Sequence, residues 1–229
     1  MIKHLACIMD GNRRWAKERG LMPWDGHREG VKAMDRVVDH CLELNIEYLT
    51  LYLFSIENFK RSEEEKKFLF TIIAKQAEKY VPKYNAKGVK VKFIGQRDLF
   101  PQSVVEMCDR IEKQTAHNTK LILNLLFCYG GQQEILAGVK TCLSKVQAGE
   151  MDIEQLDATM FKNCLWSGDV PDPDIMIRTG GASRLSNFLL FQVAYTELRF
   201  IKPFWPDMTP ELLDEIIEEF NQSKRNFGK

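Results

Sequence analysis

Short apolar runs alternate with stretches of helical periodicity along almost the whole chain, and this alternation constrains the fold more than any other feature. His4 to Met9, Tyr48 to Phe54, Val89 to Phe93, Leu121 to Phe127, Ile175 to Ile177 and Leu198 to Ile201 read as strands. Between them, Val31, Met34, Val38, Cys41 and Leu42 keep helical spacing, as do Leu69, Ile72, Ile73, Ala77, Tyr80 and Tyr84. Pro101 opens a helix carrying Val105, Cys108 and Ile111 on one face, and Ile135, Leu136, Val139, Leu143 and Val146 mark another. A further short helix is expected over Ile153 to Cys164. The last begins with Thr209 as N-cap and Pro210 in its first turn, and buries Leu213, Ile216, Ile217 and Phe220. Parallel strands need long crossover connections, usually helices. The pattern therefore predicts an α/β fold, with a mainly parallel central sheet of about six strands flanked by helices. No repeat, low-complexity tract or linker interrupts residues 1–229, so one domain is expected.

Composition then limits the function. Lys plus Arg total 32 and Asp plus Glu total 32, so no broad basic field for nucleic acid is expected, while local arginine clusters for a small anion remain open. The six cysteines form no CxxC pair and sit in apolar or helical stretches, which suits buried thiols rather than zinc ligands. No signal sequence opens the chain and no apolar run approaches the ~20 residues that span a bilayer, which predicts a cytoplasmic protein.

Ligands of parallel sheets bind beyond the carboxyl ends of the strands, so the residues following each strand carry the functional signal. The first strand leads into Asp10-Gly11-Asn12-Arg13-Arg14, the second into Ser55-Ile56-Glu57-Asn58, the fourth into Tyr129-Gly130-Gly131 and the fifth into Arg178-Thr179-Gly180-Gly181. In a parallel sheet these sets converge on one rim. A helix starting after Asp10 would offer free N–H groups to phosphate, and Gly11 would let a ligand approach the backbone. An aspartate there suits a phosphate only with a cation between them, which Mg2+ supplies; the alternative is that Asp10 or Asn12 caps the helix. Arg178 beside two glycines could grip a diphosphate with paired hydrogen bonds, or could serve a simple turn. His27 either bonds phosphate or caps a helix beginning near Arg28. Glu197 reads as a metal ligand or half of an ion pair. Asp169, Asp172 and Asp174, interleaved with Pro171 and Pro173, read as an extended loop rather than a metal cluster.

Taken in order, HLACIMDGNRRWA, GHREG, LTLYLFSIENFKR, NLLFCYGG, IRTGGASRLSNFLLFQVAYTELRF and FWPD resemble the cis-prenyltransferases along essentially the whole chain. The resemblance implies that Asp10 holds Mg2+ and that Asn58 assists catalysis. It implies that Gly11, Asn12, Arg13, Arg14, Trp15 and His27 contact an allylic diphosphate such as farnesyl diphosphate. Ser55, Glu57, Phe59 and Arg61 belong to the neighbouring segment. Arg178, Arg184 and Ser186 are implied for isopentenyl diphosphate, and Glu197 for metal. The family pattern further implies a homodimer, built on apolar surface at Phe200, Ile201, Phe204 and Trp205, with Arg225 reaching the partner's site and membrane contact through the product.

The sequence departs from the family at Arg13, Pro23, Trp24, Asp25, Phe59, Ala182 and Asn226. Pro23 removes one phosphate contact and Ala182 an acidic group. Leu53, Leu126 and Phe127 stand where long-chain synthases have small residues, which suggests a shorter product. A non-catalytic partner subunit would lack the aspartate and arginines that this chain retains. The chain has no DDxxD motif of the all-helical prenyltransferases, and neither GxGxxG nor a P-loop.

Overall fold

A computed structural model describes residues 2–60 and 62–222. The strands are β1 (His4–Ile8), β2 (Tyr48–Ser55), β3 (Val89–Ile94), β4 (Leu121–Tyr129), β5 (Ile175–Arg178) and β6 (Glu197–Phe200). They form one sheet in the order β3-β4-β2-β1-β5-β6, every pair parallel, as the alternation predicts. The helices are α1 (Asn12–Glu18), α2 (Pro23–Glu43), α3 (Glu63–Ala86), α4 (Gln102–Thr115), α5 (Gly131–Gln147), α6 (Ala158–Lys162) and α7 (Pro210–Gln222).

Period-two alternation sends side chains of each strand into two cores. On one face Leu5, Cys7, Leu49, Leu51 and Phe127 pack with Val38 of α2, Tyr84 of α3, Ile111 of α4 and Leu213 of α7. On the other, Ala6, Ile8, Leu126 and Met176 pack under Phe188, Leu189 and Val193. All six cysteines are buried free thiols. No described helix is long and apolar enough to cross a membrane.

Two sequence expectations are corrected, and one helix that forms where expected turns its stripe to the outside. The helix over Ile153 to Cys164 is split into a 3-10 turn, Ile153–Gln155, and α6, because Asp152 and Asp157 each accept a backbone N–H two or three residues ahead and restart the chain. Helix α2 begins at Pro23 rather than near Arg28. No side chain of the usual capping type precedes it; the carboxylate of Asp25 accepts the Met22 N–H at 3.2 Å instead. The stripe Leu136, Val139 and Leu143 on α5 faces outward, Leu136 being 61% exposed. It lies outside either core.

The strand order reverses direction at β1. The chain leaves β1 for β2 on one side, and leaves β5 for β6 on the other. Such a switch point opens a crevice beyond the carboxyl ends of β1 and β5. Asp10 follows one of these strands and Arg178 ends the other.

Candidate active site

Asp10 and Arg178 meet at this crevice. Arg178 donates from one terminal nitrogen to Asp10 Oδ2 at 2.9 Å, and from the other to Ser186 Oγ at 2.8 Å and to the Arg184 carbonyl. Its side chain is only 4% exposed, so its guanidinium is held in a fixed fork. Arg14 lies 3.2 Å from Asp10 Oδ1 and donates to the Gly180 carbonyl at 2.8 Å. The aspartate thus sits between two arginines, and its backbone carbonyl accepts from Thr179 Oγ1 (2.6 Å) and from the Trp205 N–H (3.0 Å).

Asp10 does not cap α1. The N-cap is Gly11, which makes no side-chain bond, and Asn12 Nδ2 instead donates to the Met9 carbonyl at 3.1 Å. Gly11 is required twice over: its φ is +107°, and a Cβ there would lie 2.5 Å from the Phe204 ring. His27 falls inside α2, so its capping alternative is also removed.

A cleft of about 990 Å³ opens from this point. Asp10, Gly11, Asn12, Arg13, Arg14, His27, Ser55, Asn58, Arg178, Arg184 and Ser186 line its polar part. Its apolar wall comes from Val31 and Met34 of α2, Leu53 of β2, and Leu69, Ile72 and Ile73 of α3. The cleft therefore joins groups suited to anions with a wall suited to hydrocarbon.

Comparisons with known proteins identify the family. A family model described as "Putative undecaprenyl diphosphate synthase" matches residues 8–228. A geranylgeranyl-diphosphate-specific tritrans,polycis-undecaprenyl-diphosphate synthase of Pyrococcus abyssi is 42% identical, the match covering 99% of this chain and 87% of the relative. An isoprenyl transferase of Clostridium perfringens is 40% identical, covering 100% and 90%. This chain belongs to the undecaprenyl diphosphate synthase-like cis-prenyltransferases. It is a transferase. Among solved structures, lavandulyl diphosphate synthase from Lavandula x intermedia, in complex with dimethylallyl diphosphate, superposes with a TM-score of 0.96 at 28% identity, covering 100% of this chain and 98% of that one. A probable undecaprenyl diphosphate synthase from Campylobacter jejuni gives 0.83 at 32% identity, covering 100% and 99%.

Several residues singled out in this prenyltransferase lie elsewhere than the motifs suggest. Glu197 opens β6 in register with Ile175 and pairs with Arg199 at 3.4 Å. It lies on the order of 10 Å back along the strands from the carboxyl rim, so one chain does not bring it to Asp10. Trp15 points its indole N–H at Asp207 (2.7 Å) and does not line the cleft. Glu57 and Phe59 also stay outside the lining: Glu57 accepts from Asn187 Nδ2, and the Phe59 ring packs edge-on against Phe54. Trp24, one of the departures from the family pattern, lies against Phe68 and does not line the cleft. Arg61 and Arg225 fall outside the described residues.

Of the three bulky strand residues, only Leu53 reaches the cleft. Leu126 is buried on the opposite face, and Phe127 joins Phe54, Phe70 and Phe100 in an aromatic cluster. Trp205 belongs to the protein's own core, its indole donating to the Gly30 carbonyl at 2.8 Å. Asp169 and Asp172 pair with Lys92 and Lys162, and Asp174 accepts the backbone N–H groups of Lys3 and His4. That fits the loop reading, and the described residues contain no cluster of three or more potential metal ligands.

Sequence reasoning missed the support behind the rim. The Glu134 carboxylate, fully buried in the first turn of α5, accepts from Tyr129 Oη, the N–H and Oγ of Ser167, and Gln192 Nε2. A glutamate among apolar helical positions at the start of α5 was the available signal.

Proposed function

We propose that the protein catalyses Mg2+-dependent cis-prenyl chain elongation, condensing isopentenyl diphosphate with an allylic diphosphate such as farnesyl diphosphate. The observation that carries this reading is the junction of Asp10, Arg14, Arg178 and Ser186 with an apolar-walled cleft. The Pyrococcus abyssi relative is named as geranylgeranyl-diphosphate specific, and a further undecaprenyl diphosphate synthase, of Xylella fastidiosa and 41% identical, as farnesyl-diphosphate specific, which supports the allylic class and leaves its length open.

The donor set suits Mg2+. This ion keeps several waters and is usually held by one or two carboxylates together with substrate phosphates, so the single Asp10 carboxylate beside phosphate-seeking arginines is sufficient. When bound there, it supplies positive charge against the diphosphate oxygens. The chain's own part is to grip and exclude. Arg14 and the Gly11–Asn12 backbone hold one diphosphate, with His27 at its side. The Arg178 fork, Arg184 and Ser186 hold the other. As the allylic C–O bond breaks, fixed donors stabilise the charge developing on the departing diphosphate. The isopentenyl double bond then forms the new C–C bond, and the proton lost from the adjoining carbon passes to the departing diphosphate, with Asn58 positioning the reacting groups or assisting that transfer. Fixing both substrates makes the encounter effectively intramolecular. The Val31, Met34, Leu53, Leu69 and Ile72 wall keeps water from the allylic cation and takes up the growing chain.

Leu53 narrows the wall, and the proposed product is shorter than undecaprenyl diphosphate. Purified protein incubated with Mg2+, isopentenyl diphosphate and farnesyl or geranylgeranyl diphosphate is expected to release a short polyprenyl diphosphate, with Leu53→Ala shifting the distribution upward. No transfer by the chain alone would favour a non-catalytic partner role; undecaprenyl diphosphate as sole product would refute the length reading.

We also propose a cytoplasmic homodimer. Its interface would be the outward stripe of α5 together with Leu198 and Phe200 of β6, since these leave large apolar side chains exposed.

A further inference from the structure

The rim of the cleft joins two segments that no sheet hydrogen bond holds together. One is the 3-10 turn Ile56–Lys60 after β2, which carries Asn58. The other is the loop holding Arg184 and Ser186. Asn187 lies between them. Its φ of 64°, beside 51° at Ser186, places it in the left-handed region that asparagine tolerates. The start of α5 leaves N–H groups without helical partners. Asn187 satisfies two of them: its carbonyl accepts from Gly131 (2.7 Å) and its Oδ1 accepts from Gln132 (2.8 Å).

These bonds fix the side chain so that Nδ2 can only point outward, and there it donates to Glu57 Oε1 at 2.8 Å and to Gln133 Oε1 at 3.1 Å. Glu57 directly precedes Asn58, whose Oδ1 accepts the Ser55 N–H at 3.2 Å. The first glycine after β4 now has a reason. Gly130 has an extended φ of −156°, which any residue adopts, but a Cβ there would stand 2.7 Å from Asn187 Nδ2 and 2.2 Å from Gln133 Oε1. The glycine provides room for Asn187.

We propose that Asn187 is a positioning residue for prenyl transfer: through its bond to Glu57 it sets the turn bearing Asn58 against the loop bearing Arg184 and Ser186. The inference rests on the function proposed above. It also changes the part assigned to Glu57, whose carboxylate is turned toward Asn187 rather than into the cleft.

The test exchanges the donor and acceptor. Asn187→Asp tolerates the same backbone and keeps the acceptor for Gln132, but faces Glu57 with a like charge. Adding Glu57→Gln returns a donor to the pair from the other side. For one exposed hydrogen bond to a carboxylate, Asn187→Asp should lower kcat about fivefold to tenfold. KM for both substrates should stay within about threefold, and amide hydrogen exchange over residues 55–60 should quicken by a similar factor to kcat. The double variant should recover both readouts, and Gly130→Ala should reproduce the loss. Unchanged kcat and exchange in Asn187→Asp would overturn the proposal, as would faster exchange without loss of kcat, a loss that Glu57→Gln does not recover, or a loss that follows the unfolded fraction. A wild-type protein without turnover would instead refute the proposed function, leaving the exchange data to decide whether the tie exists.

Discussion

Acidification should destabilise this protein through His4, at the start of β1 in the middle of the sheet. The ring is 2% exposed, and burial pushes its pKa from 6.5 down to about 4, with the Pro171 carbonyl and the carboxylates of Asp174 and Asp172 only partly offsetting it. Its contacts suit a neutral ring. Nδ1 lies 2.7 Å from the Pro171 carbonyl and so carries the proton, leaving Nε2 to accept from Thr50 Oγ1 at 2.7 Å. Thr50 Oγ1 in turn accepts from Asn124 Nδ2 at 3.2 Å. Between pH 6.5 and about 4 the unfolded chain binds a proton that the folded chain refuses, so stability falls as pH falls through this window. About 2.5 pH units at 1.36 kcal/mol each give a loss of about 3 kcal/mol. That is a large share of the ~5–15 kcal/mol typical of a domain, and corresponds to roughly 6–12 °C in Tm. The assay is urea unfolding of the wild type and His4→Gln at several pH values across the window. The stability difference between them should shrink by about 3 kcal/mol from the upper to the lower end, since the other titrating groups cancel. A difference constant with pH would refute the reasoning.

Two other buried or half-buried groups give further predictions. His40 bridges Asp214 of α7 (2.7 Å) and Glu43 (3.0 Å); burial opposes its protonation, but the two carboxylates outweigh it and raise its pKa. Its contribution is therefore full below pH 6.5 and lost as pH rises through the raised folded value, so the advantage of wild type over His40→Gln in urea should shrink as pH is raised above 6.5. Glu134→Leu strands several buried donors and should cost about 3 kcal/mol or more in urea unfolding, whereas Glu134→Gln should cost less, because the Gln192 amide can turn its buried, unpartnered Oε1 toward the new donor. Equal losses in the two variants would contradict that network.

The sheet was legible because each strand is an apolar run with its own period, and the order of runs and helices leaves few parallel arrangements. Asp10 and Arg178 were legible as neighbours for the same reason: both follow strands, and a parallel sheet brings such residues to one rim. The rest depends on facts that periodicity does not carry. A helical stripe shows that Leu136, Val139 and Leu143 share a face, but not what covers that face. Trp205 and Phe200 look equally suited to an interface, yet only the packing against Gly30 shows that the former is core. The start of α2 was obscured because its cap comes from Asp25 inside the helix rather than from the residue before it. Glu134 and Asn187 were missed because their partners stand far away in sequence: Ser167 and Gln192 for the former, Glu57 for the latter. Glu197 shows the opposite limit: its motif position carried no information about which end of the sheet it occupies, and its pairing with Arg199 matches the ion-pair alternative.

The central claim is that a carboxylate and an arginine fork at the crevice between β1 and β5 hold Mg2+ and diphosphate for prenyl transfer. Asp10→Asn tests it better than alanine, because asparagine retains an acceptor for the buried Arg178 and leaves the fold its hydrogen bond while removing the charge. The measurement is the Mg2+-dependent rate of isopentenyl diphosphate incorporation by wild type and this variant, at matched folded fraction. The expected result is a loss of about 10²–10³-fold in kcat/KM with Tm changed by only a few degrees. Turnover within about threefold of wild type would show that Asp10 is not the cation-holding group.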